Sequence, residues 1–137
     1  MNFPGTYAGF LANLTLIVQS AAFMILLFGV MNAKKKNFSK HFKAADIGVF
    51  SCILAFLWMG LSFLNNYGAI ISRPTSPIIM LTLLHAAIGS MALIGGIAFV
   101  SNRFIKKTMV PMRIIFLFWA LALFLGITLY IMYYVSL

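Results

Sequence analysis

PIIMLTLLHAAIGSMALIGGIAFV, residues 77–100, contains no aspartate, glutamate, lysine or arginine. A helix rises ~1.5 Å per residue, so about 20 residues cross the ~30 Å hydrocarbon core of a bilayer. This stretch has that reach. In lipid a lone segment must satisfy its own backbone N–H and C=O groups, and only a helix does so. The start fits as well: Ser76 suits the N-cap and Pro77 the first helical position.

Three more apolar stretches flank it, at about 8–31, 44–64 and 113–135. The sequence therefore predicts an all-α fold: a polytopic membrane protein, a four-transmembrane-helix bundle, with 1–137 as one transmembrane domain. Composition agrees. The chain is 64% hydrophobic and 8% charged, where soluble domains are about a quarter charged. The first stretch reads as a retained helix and not as a signal peptide. Met1 to Tyr7 has no basic residue, the positive charge follows at Lys34, Lys35 and Lys36, and no small-X-small cleavage site is present.

The formal charge is +9, which in a soluble chain would suggest nucleic acid. Here the basic residues form short clusters between apolar runs, so nucleic-acid binding is not expected. Lys34, Lys35, Lys36, Lys40 and Lys43 follow the first span; Arg103, Lys106, Lys107 and Arg113 follow the third; Arg73 alone lies on the other side. The positive-inside rule then predicts an N-out/C-out chain. Lys34, Lys35, Lys36, Lys106 and Lys107 are expected to lie on the anionic headgroups of the bilayer. Phe3, Tyr7, Tyr67, Tyr133 and Tyr134 would form an outer aromatic belt, with Phe38, Phe42 and Phe104 at the inner boundary.

Other local expectations follow. Pro111 belongs in a first helical turn. Asp46 would stand in the first turn of the second helix, favoured by its dipole and paired with Lys43. Residues 65–76 read as an outer loop. Pairs of small residues four apart let helices approach closely. Ala86, Ser90, Ala92 and Gly96, with Gly89 and Gly95 beside them, mark such a seam on the third helix, as do Ala12, Thr15, Gln19 and Ala22 on the first. Gly89, Gly96, Ser90 and Gln19 are the expected packing or interface positions.

Few residues offer chemistry. His85 lies eight residues past Pro77, roughly 12 Å below the outer boundary. An intramembrane histidine is either hydrogen-bonded to a neighbouring helix or a ligand or relay. His41 reads as a solvated residue at the inner interface. Asn13, Gln19, Asn65 and Asn66 read as polar glue. The methionines, including Met109 and Met112, read as packing before Cu(I) ligands. Cys52 is the lone cysteine and is expected to be buried, with no disulfide partner. No carboxylate lies deep in a span, as a proton-coupled exporter would require. Ser/His/Asp sets, HExxH and phosphate loops are absent from the sequence. Catalysis by this chain alone is not expected.

Three segments, KHFKAADIG, LTLLHAAIGSMALIGGI and RIIFLFWALALFLGITLYIMYY, resemble the small four-helix prokaryotic membrane family that includes CtaM, a maturation factor for haem–copper terminal oxidases. The resemblance covers about residues 38–135. Its most telling part is Trp119, Gly126, Tyr130 and Tyr133. The family pattern has four histidines. His41 and His85 match two of them. Asn65, Asn66 and Tyr67 stand where a third would be, and Thr108, Met109 and Val110 stand near the fourth. Any histidine pair that held a metal or haem is thus half gone.

The resemblance implies a prokaryotic plasma-membrane protein that joins other membrane subunits. The expected function is a non-catalytic subunit or assembly factor of a larger membrane oxidoreductase, a haem–copper oxidase or a copper membrane monooxygenase. No cofactor is expected of the chain itself. The alternatives are a haem b or copper carrier using His85, and a small transporter.

Overall fold

The structure, a computed structural model, describes residues 9–65, 67–72, 75–101 and 109–135. Four long helices carry the fold: α1 (Phe10–Lys34), α2 (Phe38–Asn65), α4 (Pro77–Val100) and α5 (Met109–Tyr134), with a short α3 (Tyr67–Ser72) after α2. The four are 24 to 28 residues long and apolar enough to cross a membrane. The chain is therefore a multi-pass membrane protein by length and composition.

The helices outrun the predicted spans. At ~1.5 Å per residue they exceed a ~30 Å core, so their ends project past it. Charge marks where hydrocarbon ends, not where a helix ends. Thus α2 starts at Phe38 rather than near residue 44, and Asp46 lies exposed more than two turns inside it. That corrects the first-turn expectation for Asp46. Pro111 does fall in the first turn of α5. Ser76 precedes α4 with Pro77 leading, although its side chain makes no capping bond. The expected loop at 65–76 contains α3. Phe3, Tyr7, Asn66, Arg73, Arg103, Phe104, Lys106, Lys107 and Thr108 lie outside the described residues.

The α1–α2 turn needs only Lys35, Lys36 and Asn37. Lys36 N–H donates to Ala33 O (3.0 Å) and Asn37 N–H to Asn32 O (2.9 Å), closing the end of α1, with Lys36 at φ 60°. Lys34, Lys35, Lys36, Lys40 and Lys43 are all exposed around this turn. It marks the basic end of the bundle.

Helices α1 and α2 pack along one another, as do α4 and α5; narrower α2–α4 and α1–α5 seams join the two hairpins. The α1–α2 seam is tight at the basic end. A Cβ on Gly29 would lie 3.1 Å from Ala44 Cβ, and one on Gly48 would lie 2.8 Å from Leu26 Cδ2. Small residues here replace side-chain bulk with backbone proximity, which is how helices associate in lipid. The four helices meet at mid-bundle around Ala22, Val49, Cys52 and Leu93, backed by Ile53 and Trp119. Cys52 is buried and free, as the sequence indicates. Between α4 and α5 lies a second cluster of Ile88, Ala122 and Leu125.

Candidate functional site

The polar residues of the interior sit at two levels. Near the basic end, α2 carries His41 against α1 at Gly29, where no side chain stands in the way. His41 Nδ1 lies 3.0 Å from Gly29 O. A carbonyl only accepts, so Nδ1 carries the proton and donates it. The ring is 9% exposed, and Nε2 is buried without a hydrogen-bond partner among the described residues. The solvated interfacial reading of His41 is therefore corrected. Starting α2 at Phe38 winds His41 onto the face that meets α1.

Nearer the far end, α4 carries His85, 6% exposed. Its Nδ1 lies 3.0 Å from Ala122 O of α5. By the same logic Nδ1–H donates, and Nε2 is left with its lone pair and no partner among the described residues. Gly126 makes room for the ring: a Cβ there would lie 3.1 Å from His85 Cε1 and 3.7 Å from Gln19 Oε1. His85 and Gln19 therefore face the same point, from α4 and α1. Gln19 Nε2 donates to Met59 Sδ of α2 at 3.1 Å. A thioether can only accept, which fixes the amide with its oxygen free. Towards the far end, the Tyr130 hydroxyl donates to Asn13 Oδ1 and ties α5 to α1.

Two cavities border this cluster, and Gln19, Met59 and His85 line both. One, about 320 Å³, runs towards the middle of the bundle between α2 and α4. Phe23, Phe56, Phe63 and Trp119 stand in its wall among small and aliphatic residues. The other, about 510 Å³, reaches the far end past Tyr130 and Tyr133.

The structure thus brings His85, Gln19, Ser90 and Gly89 to one cavity. Ser90 donates its hydroxyl to Ala86 O of its own helix (2.7 Å), so it does not tie helices together. The two glycines named from sequence behave differently. Gly96 is pressed against its neighbours, with a Cβ position 3.0 Å from Val49 Cγ2 and 3.4 Å from Trp119 Cζ2. Gly89 has nothing within 4 Å of its Cβ position. It opens the cavity wall and marks no close approach.

Sequence reasoning did not single out Met59. The signal was the spacing of Cys52, Phe56, Met59 and Phe63, which puts them on one face of α2. His41 and His85 serve different sites. His41 is level with Gly29 of α1 and His85 with Gln19, ten residues apart on one helix, or ~15 Å. No single metal spans that. Among the described residues no three His, Cys, Asp or Glu side chains gather as a metal site would need.

Comparisons with protein-family models, curated proteins and solved structures find no match to this chain.

Proposed function

We propose that the chain is a non-catalytic integral subunit or assembly factor of a larger membrane oxidoreductase, a haem–copper oxidase or a copper membrane monooxygenase, in a prokaryotic plasma membrane. One observation supports this reading above the rest. The bundle gathers buried His85 with half-buried Gln19 and Met59 at the seam of its two hairpins, and leaves many of its large apolar side chains exposed. No more than 28% of the most apolar stretch of any span is buried within the chain. Phe50, Leu57, Leu64, Ile94, Leu117 and Phe124 are each more than half exposed. A surface of that kind suits both lipid and neighbouring subunits.

A carrier reading rests on a specific pair. His85 and Met59 border the same cavities, and an imidazole with a thioether is a soft donor set that suits Cu(I). The transporter reading is weaker. The only acidic residue, Asp46, is exposed near the basic end, far from the cluster. Solubilised in mild detergent, the tagged chain should run on a native gel in a complex of fixed size. Migration only as a free small protein would contradict the subunit reading, and haem bands in its visible spectrum would favour the carrier.

The same proposal orients the chain with both termini outside and the basic end in the cytoplasm. In a Cys52→Ala background, Thr75→Cys should react with an impermeant thiol reagent applied to intact cells, and Asn37→Cys should not. The opposite pattern would invert the orientation.

A further inference from the structure

We propose that the cavity beside His85 binds the hydroxylated aromatic ring of a membrane-soluble molecule, a tail-bearing hydroquinone or phenol, which donates a hydrogen bond to His85 Nε2. The inference stands on the cavity itself and holds whichever complex the chain joins.

His85 Nδ1–H is committed to Ala122 O at 3.0 Å, so the ring offers a ligand only the lone pair of Nε2. Gln19 Nε2 faces Met59 Sδ at 3.1 Å, which leaves Oε1 beside the imidazole, and an amide oxygen also accepts. His85, with its free ring acceptor, and the Gln19 amide thus stand at one pole of a mostly apolar cavity. Such a pole recognises a donor. It favours a phenolic hydroxyl over a ring carbonyl or a bare hydrocarbon, because a hydroxyl gives the acceptor a partner between apolar walls and a carbonyl cannot.

A closed apolar cavity of roughly 150 Å³ holds a benzene ring. This one is about 320 Å³, enough for a substituted ring and the start of a tail. Phe23, Phe56 and Trp119 offer ring faces and edges for stacking. A metal ion would use the lone pair but leave most of that space empty.

The cavity lies at the narrow α2–α4 seam, where Gly60 and Gly89 line it from opposite helices. Neither has an atom within 4 Å of its Cβ position. Phe56, on the same wall, is 39% exposed. The seam therefore opens sideways, towards the phase in which a tailed ring dissolves.

The test uses the full chain in lipid nanodiscs under anaerobic, reducing conditions. It compares equilibrium binding of a decyl-tailed hydroquinone with that of its dimethyl ether, which keeps the shape and removes both donors. The hydroquinone should bind about tenfold tighter, the worth of one hydrogen bond. His85→Phe should reduce that preference to about one. Gly89→Leu, which fills the cavity and leaves His85 in place, should abolish binding of both compounds. Equal binding of hydroquinone and ether by the unaltered chain would overturn the proposal and leave the cavity as a slot for lipid acyl chains. So would a preference that survives His85→Phe, binding that survives Gly89→Leu, or no binding of either compound.

Discussion

Gly96→Leu should cost the bundle about 3 kcal/mol, the upper end for overpacking a filled site, while Gly89→Leu should change its stability by less than about 1 kcal/mol. Both are glycines on α4, seven residues apart and so on nearly the same face. What differs is the distance to the next helix. At Gly96 even a methyl would stand 3.0 Å from Val49 and 3.4 Å from Trp119. Leucine adds three further carbons, which must drive α2 and α5 away from α4. At Gly89 the new side chain enters open space, and leucine is the better helix former by almost 1 kcal/mol. Unfolding by a denaturing detergent, followed by loss of helical circular dichroism, would measure both. Equal losses would mean that the α2–α4 seam does not splay as described.

Trp119→Ala should be the second most damaging change, by about 2–3 kcal/mol. Trp119 backs the cluster of Ala22, Val49, Cys52 and Leu93 and covers Gly96. In a bilayer the transfer term nearly vanishes, because lipid tails are as apolar as the interior. The cavity term remains. Removing most of an indole leaves on the order of 100 Å³ empty, at ~24 cal/mol per Å³. The same denaturation would report it. A loss well under 1 kcal/mol would place Trp119 outside the packed core.

The spans were legible because the bilayer imposes a length and the charges fall between the apolar runs. Helix limits were less so. Residues 38–43 hold three basic or titratable side chains, yet a helix at the membrane surface carries them without breaking. The short α3 leaves no amphipathic period to read in YGAIIS. His85 could be named from its depth alone. Its partner could not, since Ala122 contributes a backbone carbonyl that no sequence pattern marks. His41 needed knowledge of Gly29 on another helix. The division between Gly89 and Gly96 was closed to sequence for the same reason. Composition shows that a helix can approach, and only the crossing of α2 and α4 decides at which level it does. The cavity is a product of that crossing.

The most direct measurement of the central claim is the identity of what the chain holds in its own membrane. Native membranes should be solubilised in mild detergent, the chain recovered by a small affinity tag, and the co-purifying proteins identified by mass spectrometry and assayed. The account predicts the catalytic subunits of a membrane oxidoreductase, a haem–copper oxidase or a copper monooxygenase, recovered in fixed ratio with their metal signal and activity. Recovery of the chain alone, from membranes where such an enzyme is abundant and intact, would contradict it.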